Sequence, residues 1–370
     1  SQDRPVPGKI SNKSSRLWAK GRRRNRICWF SDEGSVETWL MSMAKPPTIR
    51  DVARLSGVST ATVSRYFSGK ADAVSPHKIE SVQRAAKALG YTPSEIGRSL
   101  RLSQSRVVMM LVPDATNHFT ADVAVSVESA LKDIGLSMVL ANTGEKAAQQ
   151  DRLLSDAQGL RARAIILQGA IDTPRLREFV EQHRNLIFVN RRPASGIVAP
   201  YVGIDNFQAG FSVGRYFVQQ GYANPVAIHA PRHYSGSTDR LDGFLAGLGE
   251  GVNVRQFECA YTMQAGYDCA RSLLANASVK YSIFCANDMI AYGVHRAAIE
   301  QSFSIPEDLV IFGFDDNRLN EWLAPWLSTV RVPALDFGPA IAELISSGQT
   351  DQPETRNIIL PFSLQLRESA

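Results

Sequence analysis

The chain has little cysteine: Cys28, Cys259, Cys269 and Cys285 are all it carries in 370 residues, with no Cys-x-x-Cys pair and no zinc-type spacing. That excludes a disulfide-stapled scaffold or a zinc module and reads as idle thiols in a reducing compartment. No apolar run approaches the length that crosses a bilayer. The opening stretch "SQDRPVPGKISNKSSRLWAKGRRRNRICWF" has arginines but no apolar segment behind them, which argues against secretion and for a cytoplasmic protein. His77, His118, His183, His229, His233 and His295 show no metal-ligand spacing. There is no Walker loop, no Gly-x-Gly-x-x-Gly follows the first apolar strand, and no Gly-x-Ser-x-Gly falls on a strand-to-helix turn. With these motifs missing, no metal, cofactor or enzymatic activity is expected.

Positive charge is scarce in the larger part of the chain and concentrated at one end. Residues 1–44 carry nine Lys/Arg against four Asp/Glu, and residues 45–106 carry eleven against four; of the totals of 41 and 36, 21 basic and 28 acidic residues remain for 107–370. The balances are therefore +5, +7 and −7. A basic head on an acidic body is the footprint of a polyanion partner at one end. Residues 1–44 mix Pro, Ser, Gly and Arg without periodicity. They read as a disordered basic arm, or as a non-native extension upstream of a start at Met43.

Within the basic head, "DVARLSGVSTATVSRYFSG" (51–69) has two short apolar-patterned runs on either side of Gly57. Val52, Ala53 and Leu55 mark the first, and Val58, Val63 and Phe67 the second. The spacing predicts a helix pair with Gly57 at the corner, started by Thr48 with Asp51 and by the cap Ser59. Thr60, Ala61, Ser64 and Arg65 then face outward near the beginning of the second helix. Small side chains and one guanidinium suit a helix that enters the DNA major groove. "SPHKIESVQRAAKALGY" adds a third helix between Ser75 with Pro76 and Gly90, its inner stripe being Ile79, Val82, Ala86 and Leu89. The helical head spans 46–91. Residues 92–106 read as a linker that becomes helical only with help, because Gly97 weakens it.

From Val107 onward, Val/Ile-rich strands alternate with amphipathic helices. The pattern implies an α/β architecture of parallel, doubly wound sheets, and its length suits two similar lobes. Lobe one is expected over about 107–204 and 330–350, lobe two over about 205–329 and 355–370. Ligands of such sheets bind at the carboxyl ends of strands. There the chain places Asn117 and Phe119, Asn190 and Arg191, Tyr234 to Arg240, Tyr261, Asn287 and Asp288, then Asp315 and Asp316. Amides, carboxylates, guanidinium groups and aromatic rings together suit a polyhydroxylated ligand. Asn287 and Asp315 have the alternative role of capping the helices that follow them.

Taken with "SVQRAAKALGYTPSEIGRSLR", "VNRR", "VGIDN", "CANDMIAYGV" and "IFGFDD", the helix-pair segment resembles the lactose/galactose repressor (LacI/GalR) family over about residues 46 to 368. The resemblance implies a helix-turn-helix headpiece joined to a two-lobed, periplasmic-binding-protein-like domain. Thr60 and Ala61 would occupy paired base-reading positions, with Arg65 reading a base one turn later. Ser59, Thr62 and Ser64 would serve phosphates or the cap. Leu100 matches the leucine that the family's hinge helix wedges into the minor groove. Gly97 stands where alanine is common in that hinge, and Ser94 where asparagine is. Arg240, Asn287 and Asp315 match effector-contacting positions, and Phe119, Asn190, Arg191 and Tyr261 line the same cleft. The chain ends at "LQLRESA" with no leucine-heptad tail, which implies a dimer. The expected function is a ligand-responsive transcriptional repressor of a carbohydrate-utilisation operon, binding a pseudopalindromic operator. Its effector would be a sugar, sugar acid or sugar phosphate, and it is open whether that effector releases the DNA or promotes binding. The alternative is a transport-type sugar- or purine-binding protein with no DNA role.

Overall fold

The computed structural model describes residues 47–68, 74–92, 105–182, 186–275, 279–347 and 356–370. The expectations for the N-terminal arm and for the hinge, Leu100 included, lie outside these residues. The chain forms two compact units that divide between Thr92 and Pro93. In the first, α1 (Ile49–Ser56), α2 (Thr60–Phe67) and α3 (Pro76–Leu89) enclose a core of Val52, Ala53, Val63, Val82, Ala85 and Ala86. The Asp51 carboxylate accepts the Thr48 N–H at 2.9 Å and the Thr48 hydroxyl at 2.7 Å, which fixes the start of α1. Ser59 Oγ accepts the Thr62 N–H at 3.2 Å at the start of α2. Gly57, at φ 68°, closes α1 in the left-handed region that glycine enters without steric penalty. Leu55 departs from the sequence expectation and is 56% exposed. At 3.6 residues per turn it sits roughly 100° from the middle of the buried Val52, Ala53 and Ser56 stripe.

The second unit runs β1 (Val107–Val112), α4 (His118–Asp133), β2 (Ser137–Asn142), α5 (Ala147–Gly159), β3 (Ala164–Gln168), α6 (Pro174–Gln182), β4 (Leu186–Val189) and β5 (Tyr201–Ile204). It continues with α7 (Asn206–Gln220), β6 (Pro225–His229), α8 (Ser235–Leu248), β7 (Arg255–Glu258), α9 (Met263–Leu274), β8 (Tyr281–Cys285), α10 (Asp288–Glu300) and β9 (Leu309–Asp315). It closes with α11 (Asn320–Leu323), β10 (Ser328–Arg331), α12 (Phe337–Ser346), β11 (Asn357–Leu360) and β12 (Ser363–Gln365). The strands make two six-stranded sheets, ordered β2-β1-β3-β4-β5-β11 and β7-β6-β8-β9-β10-β12. Every pairing is parallel except that of β12 with β10. The inner strands are buried on both faces, as their unbroken Val/Ile/Phe runs require.

Both sheets therefore share one winding, and each has its switch point where the order reverses, between β1 and β3 and between β6 and β8. The chain passes between lobes three times: after β5, after β10 and after β11. This corrects the expected lobe boundaries. Residues 328–331 pair with β9 and belong to lobe two. Residues 357–360 pair with β5 and belong to lobe one, so the tail is split between lobes and does not lie wholly in lobe two. Ladder hydrogen bonding decides this, and hydropathy carries no trace of which sheet a strand joins.

The helices α7 and α8 of lobe two meet along glycines. A Cβ on Gly210 would lie 2.1 Å from the Arg240 carbonyl oxygen, and one on Gly243 would lie 2.0 Å from that of Phe207. Gly214 and Gly247 make the same kind of backbone approach one turn on. Residues 210–214 spell Gly-x-Ser-x-Gly, but inside α7, where no nucleophile elbow is possible. No described helix is long and apolar enough to cross a membrane.

Candidate functional site

In the first unit, α2 presents Ser59, Thr60, Ala61 and Arg65 exposed, with Thr62 and Ser64 half-buried. Val63 is fully buried and sets the rotation of the helix. The Arg65 guanidinium makes no ion pair among the described residues, so nothing there holds it back from an external partner.

In the second unit, a cavity of about 450 Å³ opens at the two switch points, between the strand ends of both lobes. Phe119, Asn190, Arg191, Arg240, Tyr261, Asn287 and Asp315 all line it. The structure thus brings the whole predicted set together, from positions spread over almost 200 residues of chain. Phe119 forms an apolar wall, edge-on to Phe337 with ring centroids 6.0 Å apart. Asn287 does cap α10, its Oδ1 accepting the Ile290 N–H at 2.9 Å. Its Nδ2 is left as the donor for the cavity.

Arg240 comes from α8 and is 4% exposed. Nε donates to Asn206 Oδ1 at 2.8 Å and an Nη to the Ala286 carbonyl at 2.7 Å. The guanidinium lies 3.7 Å above the Phe314 ring and 3.6 Å from the Asp315 carboxylate. Asp315 ends β9 at φ 113°, a conformation a non-glycine residue adopts only when its surroundings impose it. Burial pushes its carboxyl up to about 8, with Arg240 pulling down and the Asp288 carboxyl adding to the rise. Asp288 lies behind it, itself raised to about 6 by burial. Its oxygens accept from Thr329 Oγ1, the Asn317 N–H and Asn320 Nδ2, and so tie α10 to the segment after β9.

Two contributors were missed by the sequence reading. Glu145, in the loop after β2, pairs with Arg191 at 2.7 Å and accepts the Tyr234 hydroxyl of the opposite lobe. Arg191 in turn stacks 3.6 Å above the Tyr234 ring. Gln168 ends β3 with its Oε1 buried and unpartnered. Glu145 and Tyr234 are 89 residues apart, and no local signal pairs them. Gln168, by contrast, stands at a strand end, where position alone could have found it. The lobes also meet through Arg192 with Asp239, and through the Ser235 hydroxyl donating to the Arg192 carbonyl at 3.2 Å.

The raised Asp315 carboxyl has a measurable consequence. The folded chain holds its proton up to about 8, whereas an unfolded aspartate releases it near 3.8. Between those values the folded state binds more protons, so this group's contribution to stability is greatest below the lower value and falls as pH rises through the window. Asp315→Asn is expected to flatten the decline of unfolding free energy over that range. Unchanged slopes in denaturant titrations across it would show that Asp315 stays ionised in the fold.

Comparison with known proteins agrees with this geometry. Residues 105–362 match the family described as periplasmic binding proteins and sugar binding domain of LacI family, and residues 48–94 match bacterial regulatory proteins, lacI family. The ribose operon repressor of Escherichia coli (strain K12) is 28% identical over 304 residues, covering 80% of this chain and 92% of that protein. The HTH-type transcriptional repressor PurR of Vibrio atlanticus (strain LGP32) is 28% identical over 323 residues, covering 84% and 94%. Among solved structures, the lac repressor dimer bound to operator and the anti-inducer ONPF superposes with a TM-score of 0.77 at 21% identity, covering 88% of this chain and 99% of that one. A complex of the transcriptional regulator CelR with cellobiose gives 0.65 at 26%, covering 88% and 100%. With one match running through both lobes and the other through the helical head, the chain belongs to the lacI family of bacterial regulatory proteins.

Proposed function

We propose that this regulator represses a carbohydrate-utilisation operon in the cytoplasm, binding a pseudopalindromic operator as a homodimer and switching on a small sugar-type effector. The observation that carries the reading is the convergence of both lobes' switch points on one polar, aromatic-walled cavity in a chain that also bears a helix-turn-helix head. A transport-type binding protein has no use for that head. Thr60, Ala61 and Arg65 read bases, while Ser59, Thr62 and Ser64 serve the cap and phosphates. Effector in the cavity changes the angle between lobes, and the three crossover segments are where that change is absorbed. Coupling to operator affinity then amounts to about 1–3 kcal/mol, as for most allosteric pairs. Similarity to the cellobiose-bound CelR and to a ribose operon repressor supports a sugar, and PurR at the same 28% identity makes a purine the second reading.

The DNA half of the reading is tested at Arg65. Arg65→Ala is expected to cost about 1–3 kcal/mol at one base pair of each half-site and to flatten base preference there. The measurement is operator selection from a randomised pool, followed by titration of single-base variants. Equal weakening on specific and random DNA would reduce Arg65 to a phosphate contact. The effector half is tested by thermal shift against a panel of sugars, sugar acids and purines, since a bound ligand raises stability.

A further inference from the structure

Both guanidinium groups of the cavity are already engaged by the protein's own acceptors. Arg191, with only 9% of its side chain exposed, gives one Nη to Glu145 at 2.7 Å and the other to the Gly169 carbonyl at 3.2 Å. Arg240 gives Nε and Nη1 to Asn206 and Ala286 and faces Asp315. The fully buried wall atoms left without partners are acceptors. Gln168 Oε1 and Asn190 Oδ1 are buried and unpaired. A buried acceptor without a donor costs about 1–3 kcal/mol, so the ligand that fits must bring donors. Hydroxyl groups do so, whereas carboxylate or phosphate oxygens bring only further acceptors.

We propose that Glu145 sets the charge selectivity of this cavity: by holding Arg191 and Tyr234 it reserves the site for uncharged, hydroxyl-rich ligands and turns away sugar acids and sugar phosphates. This rests on the cavity being the effector site. A free Arg191 would be the natural fork for an anion. With Glu145 in place, an incoming anion meets a paired cation and a like charge. Glu145 is also held firmly. It follows Gly144 at φ 60° and itself sits at φ 55°, a conformation that its contacts to both lobes maintain. Burial and the neighbouring carboxylate push the Tyr234 phenol up to about 12, so it stays protonated and donates to Glu145 from the opposite lobe.

The test is a thermal-shift titration of the full chain with inorganic phosphate, glucose 6-phosphate and gluconate, alongside a panel of neutral sugars, at matched ionic strength. The wild type is expected to respond to a neutral sugar and to ignore the anions. Glu145→Gln is expected to gain saturable anion binding, at least about tenfold tighter than in the wild type, and Glu145→Gln combined with Arg191→Met to lose it. Glu145→Asp, which retracts the carboxylate from Arg191 and keeps its charge, serves if Glu145→Gln does not fold. A wild type that takes glucose 6-phosphate or gluconate as tightly as the variant overturns the proposal. So does a folded variant that remains blind to all three anions. If no sugar stabilises the wild type while Glu145→Gln gains phosphate, the selectivity role of Glu145 stands and the sugar-effector reading fails.

Discussion

An Asp315→Ala variant is expected to bind operator DNA as the wild type does and to lose its response to any sugar that stabilises the wild type. Asp315 is 5% exposed at the end of β9, and its carboxyl lines the cavity 3.6 Å from the Arg240 guanidinium. Leaving a ligand group unpaired in a buried site costs about 1–3 kcal/mol, so losing one bond weakens the ligand by about fivefold to a hundredfold, and losing two removes it from any practical concentration range. The ligand-free chain should not suffer in proportion. Burial already disfavours the Asp315 charge, and Arg240 keeps its bonds to Asn206 and Ala286 without it. The expected pair of results is a ligand-free Tm close to wild type together with no sugar-dependent rise. Normal sugar affinity in this variant would move the effector site out of the cavity.

That separation follows from how the site is assembled. The three crossovers leave each lobe a complete six-stranded sheet, so a side chain at a strand end can change without disturbing the ladders beneath it. Side chains pair across the cleft, Glu145 with Tyr234 in the cavity wall and Arg192 with Asp239 outside it, and these contacts break if the lobes part. A ligand that bears on Glu145 or Tyr234 would thereby bias the lobe angle.

Much of this was legible from one chain. Strands such as 107–112 and 309–315 are continuous apolar runs because both of their faces are covered, and strand ends are where α/β sheets place ligand-binding groups. That rule pointed to Asn190, Asn287 and Asp315, and the family resemblance singled out Arg240, which lies inside α8. What escaped depends on partners far along the chain. β11 has the letters of any other strand, and only its ladder with β5 returns it to lobe one. Glu145 looks like a loop glutamate until folding brings Tyr234 to it, and without Glu145 the buried Arg191 reads as an anion site. Leu55 shows the limit at short range, since apolar identity in a two-turn helix does not say which side of the stripe a residue occupies.

The largest loss of stability is expected from Gly243→Val on α8. A Cβ there would lie 2.0 Å from the Phe207 carbonyl oxygen and 2.9 Å from the Phe211 backbone nitrogen. Overpacking by a side chain usually costs about 1–3 kcal/mol because neighbours can change rotamer. Here the neighbours are backbone atoms of a helix and have no rotamer to change, so the cost should reach or exceed the top of that range. Relief requires α7 and α8 to separate, and that movement reaches the cavity. Asn206 starts α7 and holds Arg240 Nε at 2.8 Å, and the Arg240 carbonyl itself packs against Gly210. Gly243→Val should therefore lower the denaturation midpoint of the two-lobed unit and abolish sugar-dependent stabilisation together. Gly159→Ala is the matched control, because Gly159 ends α5 with nothing within 4 Å of an added Cβ, and it should be neutral or slightly stabilising. Urea titrations of the three proteins, followed by far-ultraviolet circular dichroism, separate the cases. A Gly243→Val chain that unfolds at the wild-type midpoint would mean that α7 and α8 do not approach this closely in solution.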